Sequence, residues 1–478
     1  MLFNSLEFAI FFPVVTFLYF ILPHRFRWAL LLTASCVFYM AFIPAYILIL
    51  IFTIIVDYFA GIWIANASGH RRRFALTMSI IANCGVLTFF KYYNFLNVNL
   101  TRLLGGIQLH NSLPVLSIIL PIGLSFHTFQ AMSYTIEVYR GRQQPVKHFG
   151  IYALYVMFYP QLVAGPIERP QNLIHQFLEH HSFDYRRVTD GLKLMLWGLY
   201  KKVVIADGLS LYVDPVYNHL GQYQGTHMLA ATVFFAIEIY CDFSGYSDIA
   251  IGAAGVMGFK LMTNFNSPYA ARSISEFWRR WHISLSTWFR DYLYIPMGGN
   301  KTSVPRWYLN IFITFLVSGL WHGANWTFVV WGALNGLYLL VGIWTKRTRT
   351  SLTGRTGMSA HPTVHKIVQV AITFTLVCFA WIFFRANTFS DALYVIKHIV
   401  TDVPRRGFLV GMGRPRFAIL ALSISLMEIV QVIQRRKDIL ALLASQPSWI
   451  RWTIYYCLIL AILLFGQFGK KQFIYFQF

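Results

Sequence analysis

The sequence predicts an all-α, multi-pass membrane protein with about eleven membrane helices plus re-entrant and interfacial pieces. Three observations carry this. Of 478 residues, 57% are hydrophobic and 12% charged, whereas soluble domains carry roughly 25% charged residues. The apolar segments are long and contain frequent Gly, which suits helices and not the short alternating strands of a membrane barrel. Basic residues gather in alternate loops, the pattern that orients helices in a bilayer.

The segments follow in order. Residues 6–22 form the first apolar run; they lack a basic leader and a small-residue cleavage site, and read as a retained helix rather than a signal peptide. Runs at 28–43, 45–65, 74–90 and 113–136 come next. Arg25 and Arg27 follow the first run, Arg71, Arg72 and Arg73 the third, and Arg140, Arg142 and Lys147 the fifth. The turn near Pro44 is uncharged. This alternation places the N-terminus outside and the odd-numbered exits in the cytoplasm. Residues 149–163 are too few to span comfortably and lead into Gly165-Pro166, so they read as re-entrant or interfacial. Residues 188–211 and 228–256 are further spans, and 258–306 are too polar for a simple one. A pair around His322 and runs at 367–384, 417–432 and 452–468 complete the set. No domain-sized polar linker and no repeat interrupts the chain, which reads as one membrane domain over 1–478.

The formal charge is +22. It reads first as loop charge that sets topology and touches anionic lipid heads. A basic cytoplasmic mouth would also attract a phosphate-bearing donor such as a coenzyme. The basic residues are dispersed along loops, so nucleic acid is not an expected partner. Cys36, Cys84, Cys241, Cys378 and Cys457 are far apart without a C-x-x-C pair, which argues against a zinc site or a disulfide framework. His175 and Glu179 stand one helical turn apart but do not match H-E-x-x-H, so no metal is expected there.

The most informative stretch is Val317-Ser318-Gly319-Leu320-Trp321-His322-Gly323-Ala324-Asn325-Trp326. Uncharged runs flank it, and basic clusters lie outside both: Lys301 and Arg306 before, Lys346, Arg347 and Arg349 after. With both clusters in the cytoplasm, the chain enters, turns near His322 and returns. Residues 308–320 rise about 20 Å as a helix, against a hydrocarbon core of about 30 Å. His322 then lies within the membrane profile, where an ionisable group is costly and usually functional. Asn325 is placed to orient its ring, and Gly323 allows close backbone approach.

Residues 276–291 read as one helix, with Trp278, His282 and Ser286 sharing a face. Glu276 is placed to pair with Arg279 or Arg280, and an interfacial helix with its basic residues on lipid heads is the plain alternative. Asp242-Phe243-Ser244-Gly245-Tyr246-Ser247-Asp248 reads as a helix break whose polar groups satisfy freed backbone, with Asp242 a candidate support for a catalytic histidine. Residues 264–269 read as a turn. There is no G-x-S-x-G elbow, no histidine followed five positions later by aspartate, and no Walker A loop.

Taken together, 276–291, Tyr292-Leu293-Tyr294-Ile295-Pro296-Met297-Gly298-Gly299-Asn300 and Ser318 to Trp326 resemble the membrane-bound O-acyltransferase family, in particular its bacterial alginate O-acetyltransferase branch. Met1 to Phe8, Gly123 to Phe126, Thr128 to Tyr134, Pro160 to Ile167, Tyr240 to Asp248 and Asn264 to Tyr269 also fit. His127, where an aromatic residue such as Tyr is expected, departs from the pattern.

The resemblance implies a ring of helices around a thinned centre with a tunnel joining the two faces. It also implies an acyltransferase of the bacterial inner membrane with family histidines at His282 and His322, the second essential. Acetyl-CoA is the implied donor, and a periplasmic SGNH-type acetyltransferase the implied partner. His322 is then the general base and His282 polarises the thioester or holds donor or acceptor. Arg279 and Arg280 attract the donor's phosphates, with Ser286 and Trp321 beside the site. Direct transfer and an acyl-histidine relay both remain open. So do alginate, another exopolysaccharide, cellulose and peptidoglycan as acceptor, a long-chain or D-alanyl donor, and a non-enzymatic polysaccharide exporter.

Overall fold

A computed structural model describes residues 1–468 except 118, 164 and 403–411. Regular structure among these residues is helical. Seven helices among them are long and apolar enough to cross a membrane: Pro44–Asn66, Gly69–Gly106, Gly225–Met257, Trp326–Trp344, Pro362–Arg385, Arg414–Gln434 and Ser448–Phe465.

The difference from about eleven expected spans has local causes. Leu6–Ile21 is apolar but only 16 residues long. The expected 113–136 run is not one helix: its first part is irregular, and a helix starts only at Leu124, after Gly123 at φ 75°. Asn94 holds the irregular part by accepting from Leu116 N–H at 3.0 Å and donating to its carbonyl at 2.7 Å. The preceding helix is correspondingly longer than expected. It runs through a wide turn at Thr88–Tyr92 into Tyr93–Gly106. The 188–211 run is divided by a second wide turn at Lys201–Ala206.

The residues form two compact units, Met1–Met195 with Ser247–Met262 and Leu196–Tyr246 with Thr263–Phe478. In the first, the fully buried Asp57 accepts from Ser79 Oγ at 2.6 Å and from Asn83 Nδ2 at 2.8 and 3.0 Å. Ser79 Oγ also lies 3.0 Å from Thr135 Oγ1. Such internal satisfaction is what an apolar surround demands of polar side chains.

In the second unit, Val304–His322 and Trp326–Trp344 form the hairpin expected around His322. Tyr308 and Trp344, near the two basic ends, bring their rings within 5.8 Å. Near the turn the backbones cross so closely that a Cβ on Gly319 would collide with the Phe328 carbonyl, and one on Gly332 with the Phe315 carbonyl. Small residues permit this approach between membrane helices. Gly319→Leu is therefore expected to destabilise the detergent-solubilised protein by about 1–3 kcal/mol, as overpacking does. Gly342→Leu, where a Cβ meets open space, should leave the melting temperature nearly unchanged.

Candidate active site

The expected continuous helix over 276–291 breaks at its histidine. Ile274–Arg280 and Ile283–Phe289 are separate helices, with Trp281 extended and His282 left-handed at φ 42°, ψ 56°. Trp278, His282 and Ser286 therefore do not share one helical face. A non-glycine residue in this conformation costs about 1–3 kcal/mol and persists only where surroundings impose it. Here Asn264 imposes it. Its carbonyl accepts the Ile283 N–H at 2.9 Å, and its Oδ1 accepts the Ser284 N–H at 3.2 Å and Ser284 Oγ at 2.9 Å. These bonds satisfy donors that open the second helix. The same Oδ1 lies 3.1 Å from His282 Nδ1.

His282 is 0% exposed and lies outside the seven candidate spans. Burial pushes its imidazole pKa down to about 3, because a charged ring is disfavoured away from water. Phe243 meets it edge-on with ring centroids 4.5 Å apart. His322 ends its helix and is 4% exposed. Its ring neighbours are Trp321 at 5.0 Å, Trp331 at 4.9 Å and Phe384 at 5.4 Å. Trp321 also lies 6.5 Å from the His282 ring. One indole thus stands beside both candidate catalytic histidines, which are 40 residues apart in sequence.

A cavity of about 550 Å3 runs along the hairpin, lined by Arg279, Ser286, Arg290, Tyr294, Thr314 and Ser318 among others. Tyr294 accepts a hydrogen bond from Trp307 Nε1 at 2.9 Å, which places that end of the cavity at the basic start of the Val304–His322 helix. From Ile311 to Ser318, both in its wall, the helix rises about 10 Å. Ser286 and Ser318 are each four residues from a candidate histidine, and neither imidazole is among the lining residues.

Other expected site residues are placed differently. Arg279 lines the cavity. Arg280 instead bonds Glu276 Oε1 at 2.7 Å and the Asn266 carbonyl at 3.3 Å, holding the turn locally. Asp242 lies in the unbroken helix Gly225–Met257, not at a break. It pairs at 2.5 Å with the buried Lys202, which also binds Asp207 at 3.0 Å. Its carboxylate compensates a buried cation, and support of a histidine is not the role these contacts give it. Asn325 does not orient the His322 ring: its Oδ1 caps the next helix by accepting from Thr327 N–H at 3.1 Å, and its Nδ2 donates to the Asn387 carbonyl at 3.0 Å. Ser286 Oγ donates to the Trp281 carbonyl at 3.2 Å while lining the cavity. Sequence reasoning missed Asn264 as the partner of His282, and Trp331 and Phe384 as neighbours of His322. The turn at 264–269 was visible, but nothing local showed that it reaches across 18 residues.

A multi-pass helical membrane protein with two buried histidines beside a cleft is the class that fold and site define. The family model for MBOAT, membrane-bound O-acyltransferase family, matches residues 146–385. The chain is 39% identical over 396 residues to the probable alginate O-acetylase AlgI of Pseudomonas aeruginosa, covering 82% of this chain and 73% of the relative. It is 36% identical over 433 residues to the peptidoglycan O-acetyltransferase of Helicobacter pylori, covering 84% and 80%. Similarity extends to the teichoic acid D-alanyltransferase of Streptococcus thermophilus, 27% over 300 residues, 58% of this chain and 70% of the relative. The chain belongs to the membrane-bound O-acyltransferase family, and it is an acyltransferase rather than a non-enzymatic exporter.

Because Asn325 caps a helix, Asn325→Ala should cost about 1 kcal/mol of stability. Its acyl transfer per folded molecule should stay near wild type, which a melting curve and an activity assay on monodisperse protein would show together.

Proposed function

We propose that the protein transfers acetyl groups from cytoplasmic acetyl-CoA, across the bacterial inner membrane, towards a periplasmic acceptor or partner acetyltransferase. The pathway it serves is O-acetylation of a cell-surface polysaccharide, with an alginate-like exopolysaccharide favoured. The observation that carries this is His322 at the turn of a re-entering hairpin, sharing Trp321 with His282 and standing one helical turn beyond a cleft. The relatives named as alginate O-acetylases support the acetyl group and the polymer.

The chemistry asks little of the protein. A thioester is already a reactive acyl donor. A neutral imidazole accepts the proton of the attacking hydroxyl near neutral pH. The hydroxyl oxygen bonds to the acetyl carbonyl carbon, the C–S bond breaks, and the proton passes to the departing thiolate. His322 is the base, a role typically worth 10²- to 10⁴-fold, roughly. Arg279 and Arg290 stand where the phosphates of a coenzyme entering the cleft would be attracted. The wall beyond them is largely apolar, with Ile283, Leu285, Phe289 and Phe315, which supports a pantetheine arm as its occupant. Peptidoglycan is the second acceptor, favoured by the Helicobacter pylori relative.

His322→Gln should lower acetyl transfer by at least about 100-fold while the protein still elutes as a folded species. Polymer acetyl content in a deletion strain carrying the variant checks this, and retained acetylation would overturn the assignment. Bulk at Ser318 should close the cleft: Ser318→Phe is expected to raise KM for acetyl-CoA about tenfold or more, the cost of lost donor contacts being near 1.4 kcal/mol. Unchanged KM would show that the donor enters elsewhere.

A further inference from the structure

The hydrogen bonds around His282 fix where its proton sits. The backbone N–H of Ser284 can only donate, and it points to Asn264 Oδ1 at 3.2 Å, so the amide atom there is the oxygen. Ser284 Oγ donates to the same oxygen at 2.9 Å. An amide oxygen only accepts. His282 Nδ1, 3.1 Å away, must therefore carry the hydrogen. In a neutral imidazole this leaves the lone pair on Nε2. The ring is 0% exposed and faced by Asn264, Ser284, Phe243 and Trp321, an environment that favours the neutral form.

We propose that Asn264 is a positioning residue for acyl transfer: it holds His282 as the Nδ1–H tautomer, so that Nε2 accepts a hydrogen from an N–H or O–H group of the donor or acceptor. What Nε2 meets rests on the acyltransferase reading above; the tautomer itself does not. The consequence is specific. A neutral imidazole with its lone pair on Nε2 cannot polarise the thioester carbonyl through that atom, so His282 serves as an acceptor in this reaction. Asn264 acts through two oxygens. Its carbonyl holds the turn at Ile283, and its side-chain oxygen sets the tautomer. Asn264→Leu removes only the second, and Asn264→Asp keeps an acceptor while adding charge.

The test uses full-length protein in membranes. Nitrogen-15 spectra of histidine-labelled protein, with the His282 signal assigned by subtraction of His282→Gln, should show a protonated Nδ1 and an unprotonated Nε2. Asn264→Leu should lose this preference and lower kcat about tenfold or more, with KM for acetyl-CoA changed by less than about twofold. Asn264→Asp should keep the tautomer and raise the pH at which the His282 nitrogen-15 signals titrate by about one unit or more, because a carboxylate beside Nδ1 stabilises the imidazolium. If Asn264→Leu fails to fold, Asn264→Asp carries the test. A wild-type spectrum with Nε2 protonated, or a His282 nitrogen-15 titration unmoved in Asn264→Asp, overturns the proposal. Wild-type transfer by His282→Gln overturns the role given to His282 while the spectrum still decides the tautomer, so the two failures are distinguishable.

Discussion

The close crossing of the Val304–His322 and Trp326–Trp344 helices decides where the second histidine can be. Without side chains at Gly319 and Gly332, backbone meets backbone near the turn. The turn is then short, and Asn325 satisfies a first donor of the returning helix at once. His322 is left as the last residue of the entering helix, with Trp331 of the returning helix at 4.9 Å. A wider crossing would separate these rings and admit lipid or water between them. In lipid the hydrophobic effect does not drive helices together, so packing at such small residues carries much of the association.

The same economy of polar groups governs both units separately. Asp57 meets hydroxyl and amide donors from a neighbouring helix. Lys202 meets two carboxylates. Removing one member of such a set leaves a buried charge, which typically costs about 3–5 kcal/mol for a paired ion. Some of these partners are far apart in sequence. Asp207 is five residues from Lys202, but Asp242 is 40 residues away, so Asp242 could not be recognised as neutralised from its own neighbourhood.

This is where the sequence was legible and where it was not. The hairpin at His322 could be read because hydropathy and basic flanks are local signals. The Glu276–Arg280 pair could be read because residues four apart are neighbours on a helix. The break at His282 could not. A periodic pattern there is satisfied by one helix, and the carbonyl and amide that stop it come from Asn264. The helix through Asp242 was misread for the mirror reason: polar residues suggested a break, and Lys201 and Lys202 satisfy Ser244 and Asp242 within an intact helix. Residues 113–136 looked like a span by composition, but Pro114, Pro121 and Gly123 interrupt it.

The contacts beside each histidine bear on the role proposed for it. A carboxylate held against His322 would favour a permanent imidazolium, which has no lone pair and cannot act as a base. The carboxylate the sequence offered for that support, Asp242, is committed to Lys202. Trp321, Trp331 and Phe384 lie beside His322. An aromatic face attracts a cation only as strongly as about 0.5–2 kcal/mol. That is enough to ease the charge that appears on proton transfer without fixing it beforehand. His282 has the complementary arrangement, with one ring nitrogen bound to a neutral oxygen that orders its proton and leaves its charge unchanged.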